Sequence, residues 1–125
     1  MSKNVAAAGM PSVALANGDI LPALGEGTWY LGESSERYEA ERESLIAGYE
    51  AGLTLIDTAE MYGEGAAERL VGDALHRLLA ERSRDELFLV SKVYPWNAGR
   101  DRIFESCRAS LDRLGVDQLD LYLHH

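Results

Sequence analysis

Short continuous apolar runs alternate along this chain with longer stretches whose apolar residues recur every three or four positions. Runs of the first kind read as strands covered on both faces, and stretches of the second kind as amphipathic helices. LTLID at 53–57, LFLVSK at 87–92 and LDLYLHH at 119–125 are the clearest strands, with a shorter one around Leu24 to Thr28. Between them, residues 36–51 place Leu45, Ile46 and Tyr49 at helical spacing. Ala66 to Leu79 align Leu70, Ala74, Leu75 and Leu78, and Arg102 to Leu114 align Ile103, Cys107, Ser110, Leu111 and Leu114. Gly52 and Gly115 follow the first and third helices, where a positive φ commonly ends the last turn. The strands starting at Leu53, Leu87 and Leu119 repeat every 32 to 34 residues. Strand, helix and strand at that spacing predict βαβ units and a parallel sheet.

Ahead of these units, residues 1–11 read as a tail. SVALA and DILPALG then flank Asn17-Gly18. That pattern predicts a hairpin with a type I′ turn, whose two central residues both need positive φ. Pro22 restricts the second arm to an edge or a short strand.

Composition narrows the field of functions. With 125 residues and 46% hydrophobic content, the chain suits one globular domain with a sizeable core. A net charge of −9 argues against nucleic acid or an anionic membrane surface as a partner. No run of about 18 apolar residues is present, so no membrane-spanning helix is expected. The start, MSKNVAAAGMPSVAL, lacks the apolar core of a secretory signal. Cys107 is the only cysteine and has no internal disulfide partner, which fits a reducing compartment. A cytoplasmic location is the expectation.

The chemistry gathers at strand ends. LTLI runs into Asp57, LFLVS into Lys92 and LDLYLH into His125, and Tyr62 stands in the loop after the second strand. Parallel strands present their C-terminal ends at one rim, the place where (β/α)8 barrels build active sites. Each residue has a plainer role when taken singly. A strand-end aspartate caps a loop or the next helix, a loop tyrosine packs, and a strand-end lysine is a solvated charge. The set of four is what points to chemistry. A free phenol has a pKa of about 10. A neighbouring ammonium stabilises the phenolate left behind when the phenol gives up its proton. A carboxylate keeps that ammonium charged and in place, and an imidazole N–H orients a carbonyl oxygen. Such a site suits reduction of a C=O, with a proton delivered to oxygen and a hydride to carbon.

Other motifs give less. GEGTWY has Tyr30 where a dinucleotide fingerprint needs its third glycine, and no Walker A loop occurs. His124 and His125 with one distant cysteine do not make a zinc pattern, so no metal is expected. Cys107 reads as a small buried hydrophobe and His76 as a solvated or helix-packing residue.

LGEGTW (24–29), LIDTAEMYG (55–63), LFLVSKV (87–93) and SLDRLGVDQLDLYLHH (110–125) resemble the aldo-keto reductase family, and the likeness runs over essentially the whole chain. The resemblance implies an α/β fold, the N-terminal half of a (β/α)8 TIM barrel: a hairpin on the barrel floor, then four parallel strands and three helices. It places the family's catalytic tetrad on Asp57, Tyr62, Lys92 and His125. His124 stands where the family is usually apolar. It implies NAD(P)H-dependent reduction of aldehydes or ketones to alcohols, with Tyr62 as proton donor and NADP(H) as cofactor. Gly27, Thr28, Trp29 and Asp57 would lie near the nicotinamide; Trp29, Trp96 and His125 would line the pocket for a small carbonyl substrate. The flavour of TAEMYG and GAAERLVG is closest to the bacterial branch acting on methylglyoxal or keto-sugars.

A barrel of this kind needs about 250 residues. Residues 1–125 are therefore expected to form a partial barrel domain, truncated after the fourth strand. The family's dinucleotide phosphate site comes from the last strands. A missing C-terminal half, or a second chain, would have to close the sheet. The alternative is a catalytically inactive fragment or half-barrel that serves as a binding or structural subunit.

Overall fold

The structure is a computed structural model and describes residues 3–125. An antiparallel hairpin of β1 (Ser12–Ala14) and β2 (Ile20–Pro22) comes first. Then follow β3 (Glu26–Gly27), α1 (Tyr38–Glu50), β4 (Leu55–Asp57), α2 (Ala66–Leu78), β5 (Phe88–Val93), α3 (Ile103–Leu114) and β6 (Leu121–His124). The last four strands form one sheet in the order β3-β4-β5-β6, with every neighbouring pair parallel. This is the βαβ arrangement that the repeat predicts. Gly52 and Gly115, with φ of +109° and +67°, follow α1 and α3 as expected.

The hairpin forms, but its turn is not type I′. Gly18 N donates to Leu15 O at 2.9 Å, and Leu15 N donates to Asp19 O at 2.8 Å. Gly18 has φ +94°, whereas Asn17 has no positive φ. Three loop residues with only the last left-handed make a bulged hairpin rather than a two-residue one. The reason lies in the asparagine side chain. Its Oδ1 accepts from Asp19 N at 3.0 Å, a local bond that holds Asn17 in the turn without a left-handed backbone.

Alternation of side chains divides the sheet into two faces. On one, Ile56, Leu87 and Leu89 pack under Leu45 and Tyr49 of α1, Leu70, Val71, Ala74, Leu75 and Leu78 of α2, and Leu114 of α3. This is the main core, and it holds the stripes read for α1 and α2; of the stripe read for α3 only Leu114 enters it, while Ile103, Cys107 and Leu111 are half-buried. On the other face, Phe88, Val90 and Leu55 pack with Val5 and Leu21, beneath the hairpin. Two residues beyond Leu55 on that face is Asp57; two beyond Val90 is Lys92. Lys92 pairs with Leu123 in β6, so the same face carries Leu121, Leu123 and, by continued alternation, His125.

Two expectations about burial need correction. β5 is covered on both faces, but β6 is not: Leu121 and Leu123 are 38% and 39% exposed. The helices cover only the outer face, and among the described residues the hairpin cluster reaches β4 and β5 but not β6. Cys107 is only partly buried. Partial burial still pushes its thiol above the ordinary cysteine range, with a smaller contribution from the Glu68 charge. His76 is exposed, as read.

Candidate active site at the strand ends

The ends of β4 and β5 bring Asp57 and Lys92 together because Asp57 pairs with Val90, two residues before Lys92 on the same face. The Lys92 ammonium lies 2.9 and 2.8 Å from the two oxygens of Asp57, 3.0 Å from the Thr58 carbonyl and 3.1 Å from the Tyr62 hydroxyl. An ammonium has three protons and no acceptor. Four oxygens therefore share three donors, and the Tyr62 oxygen is an acceptor in its contact with Lys92. Its own O–H proton is left to point elsewhere. The lysine side chain is 15% exposed and that of Asp57 35%, so the pair is sheltered at its cationic end and open on the carboxylate side.

Tyr62 reaches this position through an unusual turn. Gly63, Glu64 and Gly65 all have positive φ, at +60°, +53° and +96°, immediately before α2 begins at Ala66. Two glycines make such a run affordable, since an L-residue with a side chain is strained there. The turn is held from below. Glu60 is buried; its N donates to Lys92 O at 3.3 Å, and its Oε2 accepts from Tyr94 N at 2.6 Å. Thr58 N donates to Val90 O at 2.9 Å. The loop carrying Tyr62 is thus pinned to the end of β5, the strand that carries Lys92.

His125 completes the group. Its backbone N donates to Val93 O at 3.1 Å, continuing the β5–β6 ladder. Its ring meets that of Tyr62 edge-on, with centroids 6.0 Å apart and planes at 89°. Trp29 also neighbours Tyr62, with centroids 6.4 Å apart, and is 64% exposed. Gly27 pairs with Asp57, and a side chain added there would meet no atom within 4 Å, so open space adjoins the carboxylate. Thr28 is fully buried, and its Oγ1 and N both donate to Asp57 O, at 2.9 and 3.2 Å. Its side chain is thus committed to holding β3 against β4. Trp96 lies on the turn after β5, 63% exposed, and its ring partner is Tyr94 at 4.4 Å rather than the cluster. Asp57, Tyr62, Lys92, His125 and Trp29 are therefore brought together, and Trp96 stands apart.

Two supporting groups escape a reading of the sequence. One is the Glu60 strap; the DTAEMYG stretch offers a carboxylate but nothing to show that it turns inward. The other lies on the helix side of β5. Glu68 of α2 is fully buried, and its Oε1 accepts from Arg113 of α3 at 2.8 and 3.0 Å. Its Oε2 accepts from Ser91 Oγ at 3.1 Å, next to Lys92 in the chain. A glutamate among the apolar positions of GAAERLVG was the available signal. Among the described residues no group of three metal-ligating side chains is found.

The fold and the site together define an α/β protein of the βα-barrel kind, with a polar cluster at the C-terminal rim of its parallel strands. Comparison with known proteins sharpens this. The model of the aldo/keto reductase family matches residues 23–125, and the chain belongs to that family. It is 56% identical over 110 residues to the methylglyoxal reductase YeaE of Escherichia coli (strain K12), covering 87% of this chain and 37% of that protein. It is 45% identical to an aldo-keto reductase of Mycobacterium sp. (strain MCS), covering 95% of this chain and 38% of that one. Among solved structures, an aldo-keto reductase from Klebsiella pneumoniae in complex with NADPH superposes with a TM-score of 0.83 at 46% identity, over 93% of this chain and 39% of that one. The thermostable aldo-keto reductase Tm1743, in complex with epalrestat, gives a TM-score of 0.85 at 41% identity, over 93% and 43%. The chain thus spans less than half the length of these relatives.

Proposed function

We propose that this chain carries the proton-transfer site of an NADP(H)-dependent reductase of small aldehydes and ketones, with Tyr62 as the proton donor. The observation that carries this reading is the Lys92 ammonium held at once by the Asp57 carboxylate and against the Tyr62 hydroxyl. The Tyr62 oxygen accepts from Lys92, so its O–H is free for a substrate carbonyl oxygen. As the proton leaves, the adjacent positive charge stabilises the phenolate. Asp57 and the Thr58 carbonyl hold the ammonium on that side. His125, edge-on to Tyr62, would donate from its ring to the same carbonyl oxygen and fix its angle.

The residues present fit one end of a nicotinamide cofactor. Open space beside Gly27, the exposed face of Trp29 and the open side of Asp57 would hold the nicotinamide, with Thr28 contributing only backbone. When bound, the reduced ring supplies hydride to the carbonyl carbon. We assign the phosphate end to the stretch that the longer relatives carry beyond this span. The same stretch, from one polypeptide or a second chain, would close the sheet, making residues 1–125 part of a barrel domain. Likeness to a methylglyoxal reductase favours a small carbonyl substrate of that kind over a keto-sugar. Among the described residues no helix is long and apolar enough to cross a membrane.

The test is Tyr62→Phe in the native gene product that contains this sequence. NADPH oxidation with methylglyoxal, followed by absorbance, is expected to fall by about a hundredfold or more, the usual worth of a positioned acid. Retained turnover in a folded Tyr62→Phe protein would remove Tyr62 from the role.

A further inference from the structure

We infer that Tyr30 is a positioning residue that holds the Trp29 indole beside Tyr62. The inference rests on the reductase reading for its kinetic consequence but not for its structural content.

Tyr30 has φ +71°, one of two left-handed non-glycine residues among the described residues. It is 63% exposed, so no core packing forces that backbone. Leu31 N donates to Thr28 O at 3.0 Å, closing a four-residue turn with Trp29 and Tyr30 at its centre. A left-handed third residue in such a turn is ordinarily glycine or asparagine. A tyrosine there is strained, and residues held in that state cluster at functional sites.

Both ends of the turn are anchored. Thr28 is fixed to the Asp57 carbonyl through its N and Oγ1. At the far end, Gly32 N donates to Glu41 Oε1 at 3.1 Å, and a side chain at Gly32 would collide with the Ala66 carbonyl at the start of α2. The turn is therefore clamped between the strand end that carries Asp57 and the helix start that follows Tyr62. At its apex the Trp29 and Tyr30 rings stack with centroids 4.5 Å apart and planes at 19°. The outer face of this stack meets water, and Trp29 stands 6.4 Å from Tyr62. Without its neighbour, a largely exposed indole would be free to take other rotamers. The strained backbone brings a second ring alongside and limits that freedom, so a flat substrate meets a fixed wall beside the acid.

Three variants of the full native gene product test this: Tyr30→Gly, Tyr30→Ala and Tyr30→Phe. Glycine relieves the backbone and removes the ring; phenylalanine keeps the ring. With 5-fluorotryptophan incorporated, the Trp29 resonance is assigned by its loss in Trp29→Phe. The expected result is one sharp 19F line in the parent and in Tyr30→Phe, and a broadened or split line in Tyr30→Gly and Tyr30→Ala. The melting temperature of Tyr30→Gly should be unchanged or higher, an effect opposite to that of losing a structural contact. KM for 4-nitrobenzaldehyde should rise about fivefold to tenfold in Tyr30→Gly, with kcat little changed and Tyr30→Phe close to the parent. An unchanged Trp29 line in folded Tyr30→Gly and Tyr30→Ala would overturn the inference, as would a KM that does not move. If the parent reduces neither aldehyde while the Trp29 line still broadens in the variants, the positioning of Trp29 stands and the reductase reading falls.

Discussion

Burial raises the Glu26 carboxyl from the ordinary 4.5 to about 7, so near neutral pH much of it holds its proton in the folded chain. Its side chain fills the space left by Gly48 of α1, and its Oε2 is buried with no hydrogen-bond partner. Arg37 and Glu41 line the same cleft. A raised folded pKa makes the folded state the better proton binder between about 4.5 and 7. Its contribution is fully present below the lower value and is lost as pH rises through the upper one. Glu26→Gln is therefore expected to unfold at higher urea than the parent at pH 8, with the difference closing toward pH 4. A gap constant across that range would show that burial of the charge is not its source. Arg113 makes a second case. Glu68 is fully buried, so Arg113→Met would strand its charge, at a cost of about 3–5 kcal/mol in urea unfolding. Adding Glu68→Gln should recover most of that loss; failure to recover would mean that Arg113 works by packing alone.

At the scale of elements, α1 and α2 bury the apolar stripes read for them and α3 buries only Ser110 and Leu114 of its own; what the stripes do not show is how near the helices come. A side chain on Gly72 of α2 would strike the Arg113 carbonyl at the end of α3. Glycine is there for that approach, in spite of its poor helix propensity. Gly72→Ala is expected to push the two helices apart and cost about 1–3 kcal/mol, read as a lower melting temperature. An alanine variant as stable as the parent would mean that α3 gives way freely. The consequence reaches the site, because α2 starts directly after the turn that carries Tyr62 and is tied through Glu68 to Ser91 beside Lys92.

At the scale of the whole molecule, the four-stranded sheet has two open edges among the described residues, β3 and β6. Unpaired edges with apolar side chains facing water invite association with other chains. The 125-residue chain made alone is expected to self-associate as its concentration rises, measured by sedimentation, and Leu123→Lys should reduce this by placing a charge on the open inner face of β6. The same isolated chain is expected not to oxidise NADPH with methylglyoxal. Turnover that depends on Tyr62 in that chain would show that the longer span of the relatives is less necessary than proposed.

The order and type of every strand and helix, and the common face of Asp57, Lys92 and His125, were legible in the chain itself. Continuous apolar runs alternating with helical stripes at a 32–34-residue repeat admit few other arrangements, and strand-end positions in a parallel sheet share a rim whatever the details of packing. Tyr62 was legible from its place in the loop. The hairpin turn was misread because Asn-Gly serves two loop lengths, and a side-chain bond to Asp19 decides between them. Glu60, Glu68 and Arg113 could not be assigned, because a charged residue looks the same in sequence whether it faces water or a partner from a distant element. The left-handed Tyr30 and its stack on Trp29 were hidden for the same reason. Sequence sets which side of a strand each residue faces; only the closing of loops against one another determines which of the facing groups meet, because those contacts join residues far apart in the chain.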